Sequence, residues 1–340
     1  MSFKELFKDN NKINIVFLGG SITEGAGSSD KRYCFANLTG EWFREALGKD
    51  RVNYYNKGVG GTPSKYGLLR FGRDVADLNP HIVFIEFAVN DGGHDTRIFT
   101  ESLVRSLATL PTKPFVAFLY TTNNEYTTDT TYFEQVAEHY KIAQVSLKDA
   151  LKKHLGGANA TDAGYLADTV HPNDKGYEIY FREMVRCFSD KAYYTVPDVT
   201  AEKLVPDSMS VSTYFIPLAD ASKSDGWVCG GSGERKSIIG SVGEWVEFEF
   251  DGDILAFEHG LDDNCAAYDV YVDGEKIGST EPYWNKFMHY QLVLGFNTFE
   301  LSPGHHKARV EVVRSENPER VNKDVLLYNA IAGCKKQMGT

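Results

Sequence analysis

Cysteine is scarce and shows no pairing pattern. There are five in 340 residues (Cys34, Cys187, Cys229, Cys265 and Cys334), odd in number and without Cys-x-x-Cys spacing. This argues against a disulfide framework or a cysteine zinc site and suits a reducing compartment. A chain of this length buries enough apolar surface to need neither. Basic charge is also short: 36 Lys and Arg against 47 Asp and Glu leave a net charge of −11. Nucleic acid and anionic membrane surfaces call for the opposite sign, so neither is expected as a partner. No stretch approaches the roughly 18 apolar residues of a membrane span. The opening MSFKELFKDNNKIN is polar, without the apolar segment or cleavage site of an export signal, and a cytoplasmic location is expected. Three catalytic or phosphate-binding signatures are missing as well: a G-x-S-x-G elbow, a G-x-x-x-x-G-K-[ST] loop, and a G-x-G-x-x-G turn after a strand.

What is present divides into two textures. Up to about residue 190, short apolar runs alternate with helical spacing. INIVFL (13–18), VNYYN (52–56), HIVFIEFAV (81–89), PFVAFLYTT (114–122) and a weaker stretch at 143–146 read as strands. ANLTGEWFREAL, TESLVRSLATL, TYFEQVAEHYKIA and the stretch from Asp174 to Phe188 read as helices. Nearly continuous apolar strands between helices predict an α/β fold, a three-layer doubly wound parallel sheet covered on both faces. After a proline-bearing segment near 190–210 the helical patterns vanish. GEWVEFEF, DILAFEHGL, AYDVYV, EKIGST and DVLLYNAIAG alternate as strands, with Asp273-Gly274 placed as a two-residue hairpin turn. The expectation is a catalytic domain over 1–192 and an antiparallel, jelly-roll-like β-sandwich over 193–340.

Ser21 follows the first strand in IVFLGGSITEG and so lies at the carboxyl end of a parallel sheet, where such folds bind ligands. A serine hydroxyl attacks only when a base takes its proton and a third group orients that base. ADTVHPNDKG supplies both, as Asp168 and His171 just before the last helix. Pro172 biases His171 toward extended backbone, and Asn173 is placed as the helix N-cap. Oxyanion donors are offered by two other strand ends, NKGVGGTPS (56–64) and FAVNDGG (87–93).

Gly20-Ser21, Asn56-x-Gly58-x-x-Gly61, Asn90-Asp91 and Asp168-x-x-His171, in this order, resemble the SGNH (GDSL-like) hydrolase superfamily over residues 1–190. The resemblance implies an SGNH or flavodoxin-like sheet, with Ser21 as nucleophile, His171 as general base and Asp168 as its orienter. It also implies an oxyanion hole made of the Ser21 N–H, the Gly61 N–H (or that of Gly60) and the Asn90 amide, with no metal or organic cofactor. Two positions depart from the family: Gly20 stands where Asp is usual before the serine, and Ala88 where glycine is usual before Asn90. An alanine there is strained if the backbone needs positive φ.

Placed ahead of a β-sandwich, the hydrolase pattern is similar to carbohydrate O-acetylesterases with a carbohydrate-binding-module-like partner, and resembles carbohydrate esterase family 17. That implies removal of O-acetyl groups from mannan- or xylan-type oligosaccharides. EPYWNKFMHY (281–290) carries aromatics suited to stacking on sugar rings, with Tyr283 and Trp284 the candidate substrate contacts. Capping of the sandwich is the competing role for them. Two other functions fit the same residues: a lipid or thioester acylhydrolase, and a glycan-binding protein with a vestigial hydrolase domain. His305-His306 point to opposite sides of any strand and make a poor metal pair. Asp262-Asp263-Asn264 reads as a solvated loop rather than a calcium site.

Overall fold

The computed structural model describes residues 3–200, 202–231, 236–284 and 292–336. It divides into two compact units, one ending at Ser210 and the other spanning Val211–Lys336. The stretch after 192, which the sequence places with the second domain, clusters with the first. The physical reason is a buried glutamate. Glu101 accepts hydrogen bonds from the N–H groups of Leu204 and Val205 at 2.7 Å each, and Ser102 Oγ accepts from Met209 N at 2.9 Å.

The first unit is built on five parallel strands, β1 (Ile13–Gly19), β2 (Val52–Gly58), β3 (Ile82–Glu86), β4 (Phe115–Tyr120) and β5 (Ala143–Ser146). Their order is β2-β1-β3-β4-β5, the doubly wound arrangement in which the direction of winding reverses beside β1. Helices α1 (Phe3–Leu6), α2 (Ser21–Glu24), α3 (Phe35–Leu47), α4 (Ser64–Leu69), α5 (Phe71–Asp74), α6 (Ala88–Asp91), α7 (Arg97–Thr109), α8 (Thr131–Tyr140), α9 (Leu147–His154) and α10 (Asp174–Phe188) connect them. Along β1, Ile13, Ile15 and Phe17 enter one core with Phe35 and Phe43 of α3 and Tyr177, Tyr180 and Phe188 of α10. The alternate residues Val16 and Leu18 are buried too. A strand buried on both faces has no polar side to alternate with, which is why the sequence shows an unbroken apolar run.

The second unit contains β6 (Ser210–Pro217), β7 (Ser222–Lys223), β8 (Val228–Gly230), β9 (Ser237–Gly240), β10 (Trp245–Gly252), β11 (Ile254–Gly260), β12 (Ala267–Val272), β13 (Glu275–Thr280), β14 (Leu292–Thr298), β15 (Gly304–Val313) and β16 (Val325–Lys336). They form two antiparallel sheets, β13-β12-β15-β10-β7 and β14-β11-β16-β9-β8, with β6 added against β16. Val246, Phe248 and Phe250 of β10, Val270 and Val272 of β12, and Leu255 and Phe257 of β11 share one core. Asp273 and Gly274 both take positive φ, 52° and 87°, as the tight hairpin between β12 and β13 requires. All five cysteines are free thiols.

Candidate active site

Ser21 is the first residue of α2 and is delivered by the end of β1. Its Oγ lies 2.8 Å from His171 Nε2, across 150 residues of sequence. The other ring nitrogen, Nδ1, is 2.7 Å from Asp168 Oδ2. Asp168 Oδ1 accepts two further bonds, from Val170 N at 2.7 Å and His171 N at 2.8 Å. Partial burial works against the charge on Asp168. The hydrogen bonds from the His171 ring and from the two backbone N–H groups outweigh it and hold the carboxyl below its ordinary range. Asp168 therefore stays an anion facing Nδ1 of the ring, whose other nitrogen, Nε2, faces Ser21.

The loop bearing these groups is fixed at both ends. Ala167 N donates to His171 O at 2.8 Å, and Pro172 bridges to Leu166 in extended conformation. Asn173 caps α10, its side chain accepting from Lys175 N at 3.0 Å and Gly176 N at 3.3 Å. From α10, Tyr177 reaches back to the nucleophile turn and donates to Ile22 O at 3.0 Å and Ala26 O at 2.7 Å.

The expected oxyanion donors converge on the same turn. Gly20 lets Asn90 approach: a Cβ there would lie 2.0 Å from Asn90 Oδ1. Gly60 is ruled out as the donor in the second segment because its N–H is held by Glu24 Oε2 at 2.9 Å. Gly61, at φ 70°, donates to no acceptor among the described residues, and neither does the N–H of Ser21. One sequence expectation is corrected. The apolar run 81–89 is not one strand; β3 ends at Glu86 and Ala88–Asp91 form a helical turn, so Asn90 sits on α6 rather than at the strand end. Ala88 is absent from the positive-φ residues, and the departure from glycine brings no strain.

Two neighbouring carboxyl groups, to which the sequence assigns no role, support the site. Asp91 accepts from Ser64 N at 2.8 Å and so joins α6 to the segment that carries Gly61; burial pushes its carboxyl upward. Glu86, the lone charge in the apolar run, is fully buried and accepts from Thr23 Oγ1 at 2.8 Å and Thr121 Oγ1 at 2.7 Å. Burial pushes its carboxyl up to about 7, against those hydrogen bonds.

In the second unit, Tyr283 bridges to Asp262, and the Arg320 guanidinium covers one face of its ring at 3.2 Å from the centroid. Trp284 remains exposed, and residues 285–290 of the 281–290 segment lie outside the described residues. His305 faces Asp251 at 3.0 Å, whereas His306 is buried against Asp273 at 2.7 Å, on the opposite side of β15. Among the described residues no three His, Cys, Asp or Glu side chains are grouped to hold a metal ion, and no helix is long and apolar enough to cross a membrane.

A search of curated proteins finds no match to this sequence. Among solved structures, a two-domain esterase (CEX) active on acetylated mannans, co-crystallised with mannopentaose, is similar over 98% of this chain and 94% of that one, with 22% identity and a TM-score of 0.77. A second structure of a two-domain esterase (CEX) active on acetylated mannans gives 22% identity and a TM-score of 0.76, covering 98% and 95%. At this identity the likeness establishes the fold, with both units present. Residues 17–179 match the model of the GDSL-like Lipase/Acylhydrolase family, a span that holds Ser21, Gly61, Asn90, Asp168 and His171. The doubly wound unit is thus the part of the chain that is similar to the GDSL-like lipase/acylhydrolase family.

Proposed function

We propose that this chain is a serine esterase that removes O-acetyl groups from mannan- or xylan-type oligosaccharides. The observation that carries the chemistry is the unbroken chain from Ser21 Oγ through the His171 ring to Asp168, at 2.8 and 2.7 Å. The substrate class is supported by the two-domain esterase active on acetylated mannans, which has the same fold over nearly the whole chain.

In this reading Ser21 Oγ attacks the acetyl carbonyl while His171 Nε2 takes its proton. The carbonyl oxygen, now negative, accepts from the Ser21 and Gly61 N–H groups and the Asn90 amide. His171 returns the proton to the departing sugar oxygen, leaving an acetyl-Ser21 intermediate. Water, deprotonated by the same nitrogen, then displaces acetate and restores the serine. Asp168 orients the imidazole throughout and stabilises its charged form. No step calls for a metal or an organic cofactor. Trp284, with its ring open to solvent, is the better candidate for stacking on a sugar; Tyr283 has one face already occupied by Arg320.

The test is acetyl release from acetylated manno- and xylo-oligosaccharides, followed by mass spectrometry for wild type and Ser21→Ala. The variant is expected to lose on the order of 10⁶ in kcat, since the three residues act as a unit. Acetyl loss that survives the substitution overturns the mechanism. Faster turnover of long-chain acyl esters or thioesters than of acetyl groups assigns the site to lipid or thioester substrates instead. Glycan binding without any Ser21-dependent turnover would leave a glycan-binding protein with a vestigial hydrolase domain.

A further inference from the structure

Arg70 stands between α4 and α5, fully buried, a costly place for a guanidinium; its Nε has no hydrogen-bond partner among the described residues, and the bonding is carried by its two terminal nitrogens. Its Nη2 donates to Gly19 O at 2.9 Å, and its Nη1 donates to Lys57 O at 2.6 Å and to Asp74 Oδ2 at 2.8 Å. Gly19 is the last residue of β1, two before Ser21; Lys57 is on β2, four before Gly61. The β1–β2 ladder reaches its end here, at Leu18 opposite Lys57 and Gly19 opposite Gly58. Gly19 O also accepts from Val59 N at 3.0 Å, so one carbonyl is shared between the arginine and the segment leading to Gly61. On the other side Asp74 is buried against Arg70 and is gripped by Arg73 Nε at 2.9 Å and Lys57 Nζ at 3.4 Å. Burial opposes its charge, but Arg70 and Arg73 outweigh that and hold the carboxyl well below the usual range.

We propose that Arg70 is a positioning residue for ester hydrolysis, its planar fork fixing the separation between the nucleophile turn and the Gly61 N–H. The inference rests on the esterase reading above. A sheet needs no arginine at this point, because ladder bonds already hold β1 to β2 up to Gly19 and Gly58. Beyond the ladder the two chains diverge, one to Ser21 and one to Gly61, and their relative placement depends on what grips the last carbonyls. Two donors in one rigid plane set the distance between those carbonyls, which an ammonium on a flexible stem cannot do. The oxyanion site demands this, since a displacement of about 1 Å costs on the order of 10²-fold in rate.

The experiment compares wild type with Arg70→Lys, which keeps the charge but loses the fork. The double variant Arg70→Met/Asp74→Leu replaces the buried pair with apolar groups and serves if Arg70→Lys does not fold. Rates on an aryl acetate are normalised to active sites titrated with a fluorophosphonate, so misfolded protein is not counted. The expected result is a kcat per labelled site lower by about 10- to 100-fold with KM within twofold, and displaced Ser21 and Gly61 amide signals in selectively ¹⁵N-labelled protein. A purely structural arginine would lower the melting temperature and leave both readouts alone. A kcat per site within twofold of wild type overturns the proposal, and so do unmoved Ser21 and Gly61 signals, which report the geometry without turnover. A wild type with no Ser21-dependent activity refutes the esterase reading, and the amide signals then decide the role of Arg70 by themselves.

Discussion

Gly20→Ala is the substitution whose effect follows most directly from the coordinates. Gly20 has φ −91° and ψ −150°, an extended conformation open to alanine, so the backbone itself sets no penalty. The obstacle is Asn90: the new methyl would lie 2.0 Å from its Oδ1 and 3.0 Å from its Cγ, where a normal contact is about 3.5–4 Å. Asn90 must therefore swing away by roughly 1.5 Å or more to restore that contact. It is the far end of a half-buried side chain that must move, which keeps the stability cost near the low end for overpacking, about 1 kcal/mol. Catalysis suffers more. Removal of one oxyanion donor lowers kcat by about 10²–10³-fold, or roughly 2.7–4 kcal/mol. The assay is aryl acetate hydrolysis per titrated site for Gly20→Ala, Asn90→Ala and the double variant. If the methyl acts by displacing Asn90, the double variant is no slower than Asn90→Ala alone. A Gly20→Ala enzyme with a wild-type kcat refutes the reasoning, as does a double variant slowed by the product of the single effects.

Two further outcomes are expected. The native Glu86 carboxyl binds its proton up to about pH 7, against an ordinary value of 4.5, so between these pH values the folded chain holds more protons than the unfolded one. Stability accordingly falls as pH rises through that window, by up to an order of 3 kcal/mol. Glu86→Gln should flatten the fall between pH 5 and 8 in thermal melts, and parallel curves for the two proteins would rule this out. Asn173→Ala removes the α10 cap and its bond to Gly164 O at 2.9 Å. It should cost about 1 kcal/mol by denaturant titration and lower kcat by loosening the His171 loop; an unchanged midpoint would show that the cap carries no weight.

The sequence reveals this site where local chemistry decides the outcome. Asn173 caps α10 because an asparagine before a helical run has few better places for its side chain, and the structure puts it there. The strands at 13–19 and 143–146 were legible because burial on both faces, or alternation, leaves a mark in composition. The run 81–89 reads as a single strand because apolar residues in a buried strand and in a buried helical turn look alike; only the tertiary setting ends β3 at Glu86. Arg70 and Glu86 were opaque for a related reason. A charge amid apolar neighbours is visible in sequence, but its partners, the carbonyls of Gly19 and Lys57 and the hydroxyls of Thr23 and Thr121, come from other strands and turns. The choice between Gly60 and Gly61 likewise waited on Glu24, whose carboxylate claims the first of the two N–H groups.

The loop from Ala167 to Pro172 closes on itself before it touches anything else in the site. Asp168 binds the ring and two amides of its own segment, and Ala167 binds the carbonyl of His171. His171 and Asp168 are thus brought together by contacts spanning no more than four residues, whose closure entropy is small. What remains for this loop is a single alignment with the nucleophile turn, the 2.8 Å between His171 Nε2 and Ser21 Oγ. The Ser21–His171–Asp168 chain behaves as one prefabricated part and one serine, mated along the seam where Tyr177 of α10 grips the turn after β1. Errors of packing elsewhere in the first unit reach the Ser21–His171 contact through that seam, whereas Gly61 and Asn90 are placed by contacts of their own.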